Sequence, residues 1–126
     1  MNIQTIIVLA SGGAFGAISR YLIVELTPKT LPYGTLLVNL IGSLIIGIVF
    51  AYVHNTHFSP YLRLFIATGF LGALTTYSTF AIESFLLLYD SSYTIAILNI
   101  ILNVVGTIIL AGIGYVSTVS LIKHFG

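Results

Sequence analysis

The chain has 126 residues, of which 58% are hydrophobic and 6% are charged, and its mean hydropathy is +1.12. So few charged side chains cannot cover a soluble domain, in which roughly a quarter of the residues are charged. The absence of cysteine excludes disulfides and thiolate metal sites, and a net charge of +1 offers no basic surface for nucleic acid. The composition therefore predicts an integral membrane protein embedded in a lipid bilayer.

Four apolar stretches follow one another along the chain, and each is long enough for the roughly 20 residues that a helix needs to cross a bilayer. All three prolines fall between these stretches, where a helix must stop. The connecting loops are too short for a second domain. The sequence thus predicts an all-α integral membrane protein, with residues 1–126 forming a single four-helix transmembrane domain. The predicted spans cover residues 3–26, 33–53, 61–89 and 93–122.

The first two spans carry few polar groups. Gly12 and Gly16 are four residues apart, as in close helix contacts, and packing within one chain is favoured over a contact between chains. Arg20 lies near the end of the first span, where it either anchors the helix at the interface or attracts anions at a vestibule. Asn39 is the polar side chain expected inside the second span.

The third span contains the clearest local anomaly, since residues 69–80 read GFLGALTTYSTF. Two glycines three residues apart precede a run of hydroxyl residues close to the middle of the membrane. The pattern predicts a helix broken at Gly72, although an unbroken helix that uses glycine and threonine for packing is the alternative. The carbonyl groups freed by a break can hold a cation, and the start of the next half-helix favours an anion.

The fourth span places Asn99, Asn103 and Thr107 on one helical stripe, because they are spaced four residues apart. Glu83, beyond the predicted break, is the carboxylate that lies deep in a span. Hydroxyl and amide groups can donate hydrogen bonds to an anion, and aromatic ring edges carry partial positive charge. This inventory favours a path for anions, since cation channels favour rings of acidic side chains.

Lysine and arginine residues near the span ends are evenly divided between the two sides of the membrane. Arg63 and Lys123 lie on the side of the termini, and Arg20 and Lys29 lie on the other. Because the distribution of these residues sets orientation, the tie predicts insertion in both orientations, with a chance tie as the alternative. Two oppositely inserted copies would form an antiparallel dual-topology dimer with a path at its seam.

Three motifs occur in a fixed order: GGAFGAISRY at residues 12–21, GTLLVNLIG at residues 34–42 and the segment 69–80 quoted above. Through them the sequence resembles the bacterial fluoride channels of the Fluc (CrcB) family along nearly its whole length. The resemblance implies a channel, not an enzyme, in the bacterial inner membrane. Passive efflux of cytoplasmic fluoride would give fluoride resistance, through two pores per dual-topology dimer around a central structural sodium ion.

The resemblance also implies a role for individual residues. Gly72 and Thr75 match the positions whose backbone carbonyls, from both subunits, hold the sodium ion. Tyr77 and Phe80 match the two aromatic positions whose ring edges face fluoride. The remaining matches are the pore asparagine, the hydroxyls between the aromatic residues, the polar positions of the fourth span and the vestibule arginine: Asn39, Ser78, Thr79, Asn103, Thr107 and Arg20.

Three positions depart from the family pattern: Ala73 replaces a glycine, Tyr77 replaces a phenylalanine and Asn99 replaces a common tyrosine. A changed aromatic pair is what one half of a heterodimer with a paralogous chain could show, so a non-conducting subunit is one alternative to the homodimer. A proton-coupled small multidrug or guanidinium exporter is another. Such exporters resemble this chain in length but carry a carboxylate in the middle of the first helix, whereas Glu25 lies at its end.

Overall fold

The computed structural model describes all 126 residues, and its regular structure is entirely helical. Four spans are long and apolar enough to cross a membrane, which confirms the predicted all-α, four-span architecture. The third span, Pro60–Tyr89, is interrupted, so that it consists of two helices. The helices are α1 (Ile3–Leu26), α2 (Tyr33–Asn55), α3 (residues 60–74), α4 (Tyr77–Tyr89) and α5 (Tyr93–Phe125).

Two helices extend beyond the predicted ends of their spans, and each extension contains a histidine. α2 continues through His54 to Asn55, and α5 continues through His124 to Phe125. Each helix end thereby carries a histidine in its last turn. This placement suits the negative end of the helix dipole, so the helices continue beyond the apolar stretch.

Glycines allow α1 and α3 to pack with their backbones nearly touching. A Cβ atom at Gly12 would overlap the carbonyl oxygen of Phe65, and one at Gly16 would overlap that of Phe70. From the α3 side, Gly69 packs directly against Gly12. The glycine spacing in the first span therefore serves packing within the chain, as the sequence favoured.

A second extensive interface joins α2 to α5, and it also depends on glycine. A Cβ atom at Gly47 would overlap the carbonyl oxygen of Ala111, and one at Gly114 would overlap that of Leu44. α2 is therefore held between α1 and α5. The buried apolar cluster where α2 meets α3 consists of Val38, Leu71 and Leu74.

Large apolar side chains on the outer faces of all the helices remain exposed in the single chain. An apolar surface of this extent is incompatible with water and matches the hydrocarbon interior of a bilayer. At one end of the molecule the Tyr61 hydroxyl donates to Gln4 Oε1 at 2.9 Å. At the other end Lys29 lies 3.5 Å from Glu25. The chain is thus a multi-pass membrane protein with polar contacts at both ends.

Two stretches have the wider hydrogen bonding of a π-helix: Leu64–Leu71, just before the interruption, and Leu102–Gly106 in α5. π-helical turns are rare and frequently mark functional sites, because they change the register in which side chains face a neighbour. The second stretch contains Asn103, which is buried and bonded to α2. Both wide stretches therefore adjoin the region where the third span is interrupted.

Candidate functional site

The interruption of the third span lies at Thr75 and Thr76. Both have extended backbones, with φ and ψ of −84° and 154° at Thr75 and of −147° and 115° at Thr76. The break predicted at Gly72 is therefore wrong by three residues, since Gly72 has helical angles of −61° and −33°. Glycine tolerates a break but does not cause one. The cause is a partner on another helix.

That partner is the side chain of Asn39 on α2. Its Oδ1 accepts a hydrogen bond from the backbone N–H of Thr76 at 2.8 Å, and its Nδ2 donates to the Thr76 carbonyl oxygen at 3.1 Å. A buried backbone amide without a partner costs several kcal/mol in an apolar medium. One asparagine thus replaces both helical hydrogen bonds of Thr76, and the extended conformation becomes stable inside the span.

Thr76 also starts the second half-helix. Its Oγ1 accepts from the backbone N–H of Thr79 at 3.3 Å, and its hydroxyl donates to Thr79 Oγ1 at 3.0 Å. This is an N-cap, in which a threonine side chain satisfies an N–H that the helix leaves free. α4 therefore begins at Tyr77 and points its amino-terminal turn toward the break.

A row of buried amides continues from the break into α5. Asn39 Nδ2 donates to Asn103 Oδ1 at 2.9 Å, and Asn103 Nδ2 donates to the backbone oxygen and to Oδ1 of Asn99, at 2.9 and 3.1 Å. Asn99 Nδ2 donates to Ser84 Oγ at 3.0 Å, and the Ser84 hydroxyl donates to the carbonyl oxygen of Phe80 at 2.8 Å. We call these five residues the amide row. The Nδ2 atoms of Asn39 and Asn103 each donate to two oxygen atoms.

A cavity of about 470 Å³ lies beside the break. Its wall combines polar side chains from α2, the break, α4 and α5 with aliphatic side chains such as Ile46 and Val104. Ser78, Thr79 and Arg20 lie outside the wall: Ser78 is exposed, and Thr79 and Arg20 are half-buried. The structure brings the other seven predicted site residues together here, namely Asn39, Gly72, Thr75, Tyr77, Phe80, Asn103 and Thr107.

The two aromatic residues form an edge-to-face pair at this cavity. The ring centroids of Tyr77 and Phe80 are 5.4 Å apart, and the ring planes meet at 70°. Phe80 is 6% exposed, whereas Tyr77 is 78% exposed on the surface of the single chain. In this geometry the positive edge of one ring is directed at the face of the other. Tyr77 and Phe80 therefore form an aromatic pair at the cavity.

The carbonyl groups of Gly72 and Thr75 have both lost their usual helical donors. The donor four residues after Gly72 is the Thr76 N–H, which bonds to Asn39. The donor four residues after Thr75 is the Thr79 N–H, which bonds to the Thr76 side chain. Gly42 faces this point, and a Cβ atom there would overlap the methyl group of Thr75. Two carbonyl oxygens are thus available to another ligand at the wall of the cavity.

Glu83 lies apart from this cavity. Its Oε1 accepts from the Thr35 hydroxyl at 2.8 Å, while its Oε2 is buried without a partner. Both residues line a second cavity of about 270 Å³, beside the loop between α1 and α2. The carboxylate is therefore bonded at one oxygen only, at the end of the molecule that carries Lys29 and Asp90.

Three residues that the sequence-based site left out contribute to its construction: Thr76, Ser84 and Asn99. The stripe of Asn99 with Asn103 was visible in the sequence, but the partners of these amides were not. Thr76 is one of five consecutive hydroxyl residues at 75–79, and no pattern distinguishes the capping residue from its neighbours. Serines in helices commonly bond to their own backbone, and only the hydrogen bond from Asn99 distinguishes Ser84 from them.

Fold and site together define a class: a polytopic membrane protein whose broken third span opens onto a polar, aromatic-lined cavity. Residues 7–115 match the family described as CrcB-like protein, Camphor Resistance (CrcB). The chain belongs to the CrcB family. Among curated relatives, the fluoride-specific ion channel FluC of Sulfurimonas denitrificans is 50% identical over 120 residues, which cover 91% of this chain and 93% of the relative.

Two further relatives have the same name and a similar extent of alignment. The fluoride-specific ion channel FluC of Campylobacter jejuni is 47% identical over 117 residues, covering 90% of this chain and 96% of the relative. That of a Nitratiruptor species is 47% identical over 112 residues, covering 86% and 87%. The similarity thus spans all four membrane helices of this chain.

Proposed function

We propose that this protein is a fluoride-specific ion channel that lets cytoplasmic fluoride leave the cell passively. The observation that carries the proposal is the polar cavity at the broken third span, with the aromatic pair Tyr77 and Phe80 in its wall. It occurs in a chain 50% identical to a protein named as a fluoride-specific ion channel. A channel of this kind performs transport and no chemical reaction.

Fluoride is difficult for a protein to bind because the ion is small and strongly hydrated. A pore must replace its water with closely placed donors, while each site holds the ion weakly enough to release it. The hydroxyls of Ser78 and Thr79 lie in the first turn of α4, where the helix dipole favours an anion. The ring edges of Tyr77 and Phe80 add partial positive charge without a full charge that would trap the ion.

The working unit that we propose is an antiparallel dual-topology homodimer with two pores. A ring that is 78% exposed at the edge of the cavity suits coverage by a second copy. The equal division of lysine and arginine between the two ends would let copies insert in opposite orientations, here in the bacterial inner membrane. Each copy would then line part of a pore at the seam.

A structural sodium ion at the centre of this dimer is the second part of the proposal. The carbonyl oxygens of Gly72 and Thr75 would hold it, since both have lost their helical donors and neutral carbonyls are suitable ligands for a hard cation. The same two oxygens from the partner would complete the coordination. The bound ion would neutralise carbonyl dipoles that otherwise face one another at the dimer centre.

Passive fluoride efflux from liposomes that contain only the purified chain tests the function. We expect fast fluoride efflux, followed with an electrode, and far slower chloride efflux under the same gradient. Efflux should need no proton gradient, which would separate the channel from a proton-coupled small multidrug or guanidinium exporter. No flux from a folded dimer would contradict a homomeric channel and favour a subunit that needs a paralogous chain, which co-expression would test.

The sodium site has its own test in the same liposomes. Sodium is replaced on both sides by N-methylglucamine, a cation too large for a site made of four carbonyl oxygens. We expect loss of fluoride efflux and its recovery when sodium is returned. Unchanged efflux after exhaustive removal of sodium would contradict a structural ion at Gly72 and Thr75.

A further inference from the structure

The amide row defined above begins and ends on the backbone of one segment. At one end the Thr76 N–H donates to Asn39 Oδ1, and at the other end the Ser84 hydroxyl donates to the Phe80 carbonyl oxygen. A backbone N–H can only donate, and a backbone carbonyl can only accept. The two ends of the row therefore have fixed and opposite polarity.

Fixed ends determine the orientation of every side-chain amide between them. Each link in the row pairs an N–H or O–H with an oxygen at 2.8 to 3.1 Å. Rotating one amide by 180° would place oxygen against oxygen on one side and N–H against N–H on the other. Such a mismatch leaves buried polar groups unpaired, which is unfavourable in an apolar interior. A single orientation of the three amides satisfies all the links.

The orientation of the Asn39 amide also affects the break in the third span. If the oxygen of Asn39 did not face Thr76, the Thr76 N–H would lack its partner and could return to the carbonyl oxygen of Gly72, which is its acceptor in a regular helix. The third span would then close toward a continuous helix. The Asn39 amide is oriented by its two bonds to Thr76 and by its bond to Asn103. Asn103 is held in turn by the backbone and side-chain oxygens of Asn99.

We propose that Asn99 and Ser84 are positioning residues of the channel, which hold the Asn39 amide in the orientation that keeps the third span broken. Ser84 determines the polarity, because its hydroxyl is committed to Phe80 and its oxygen can then only accept from Asn99. Neither side chain lines the cavity. They act on the permeation path through Asn103 and Asn39, and the functional part of this inference rests on the proposed channel activity.

The test uses Ser84→Ala, Asn99→Leu and the double variant in the full-length protein. Ser11→Ala is the matched control, because Ser11 donates to its own helix in the same way but accepts no amide. We expect fluoride efflux to fall about 10-fold or more in both single variants, and the double variant to be no slower than Asn99→Leu alone. Ser11→Ala should retain the efflux of the parent protein.

An NMR measurement distinguishes a loss of Asn39 positioning from a general disturbance of the fold. It can also be made if the chain conducts no fluoride. In nanodiscs, Ser84→Ala should shift the NMR resonances of the Thr76 backbone amide and the Asn39 side-chain amide, while Ser11→Ala shifts neither. Unmoved Thr76 and Asn39 resonances would overturn the inference, as would parent-level efflux from Asn99→Leu when the parent conducts. A parent without efflux would contradict the proposed function alone, because the resonance shifts would still decide the amide row.

Discussion

At the scale of the residue, one buried amide has a disproportionate effect on the site. Asn39 replaces both backbone partners of Thr76 and thereby makes an extended conformation stable within a span. The same replacement frees the carbonyl of Gly72, because the N–H that would normally reach it is occupied. Two features of the site, the break and the free carbonyl, therefore have a common cause on a neighbouring helix.

Phe80→Ile is expected to lower fluoride efflux at least about tenfold, since isoleucine keeps the apolar volume but has no positive ring edge. Phe80 is 6% exposed and lines the cavity. Phe85→Ile is the matched control, because Phe85 lies outside the cavity wall on the same helix. The measurement is liposome efflux. Parent-level flux from a folded Phe80→Ile dimer would remove Phe80 from the pore.

At the scale of the element, the helices are held together by backbone contact more than by large interlocking side chains. The buried apolar core of the chain is small, and each major helix interface contains glycines whose Cβ positions are already filled by a neighbouring backbone. Close backbone approach increases van der Waals contact, which drives helix association where no hydrophobic effect operates between helices. These interfaces fix the distance between α2 and α5, and with it the reach of Asn39 to Asn103.

Gly114 and Gly112 test this view, because they are two residues apart on α5. A Cβ atom at Gly114 would overlap the carbonyl oxygen of Leu44, whereas one at Gly112 would meet nothing within 4 Å. Gly114→Ala should lower the free energy of unfolding by about 1–3 kcal/mol, and Gly112→Ala should leave it nearly unchanged. Reversible unfolding in mixed detergent micelles measures both. Equal effects of the two variants would contradict backbone contact as the basis of this interface.

At the scale of the whole molecule, the balance of positive charge is the feature with the widest consequence. Arg63 and Lys123 lie at one end of the folded molecule, and Arg20 and Lys29 lie toward the other end. Of these, Lys29 pairs with Glu25 and Arg63 lies 5.5 Å from the centre of the Phe50 ring. Neither contact removes a positive charge, so the tie that the sequence predicts persists in the folded chain.

A single added lysine should therefore decide the orientation. His57→Lys should place the carboxyl terminus in the cytoplasm, and Thr30→Lys should place it outside, because the more positive side stays in the cytoplasm. A carboxyl-terminal reporter measures this, with the parent chain showing both orientations. Each variant alone should lose fluoride efflux from cells, and co-expression of both should restore it. A parent chain found in one orientation would contradict the dual-topology dimer.

Much of the architecture could be predicted because it depends on composition and local pattern. Apolar stretches of sufficient length set the four spans, and prolines mark where they end. The polar residues inserted into those stretches, together with the family resemblance, pointed to ten site residues, of which seven line one cavity. The position of the break was not predictable in the same way. Glycine at position 72 indicated where a helix could yield, while the deciding hydrogen bonds come from position 39.

The sequence by itself determined that the chain belongs in a membrane, that it crosses four times and that its third span is polar near its middle. Those properties follow from side-chain transfer energies and chain length, which act along the sequence. The tertiary structure alone decided which backbone groups at the break are bonded and which are free. The reason is that those hydrogen bonds join residues up to 64 positions apart, so they exist only once α2, α4 and α5 are packed together.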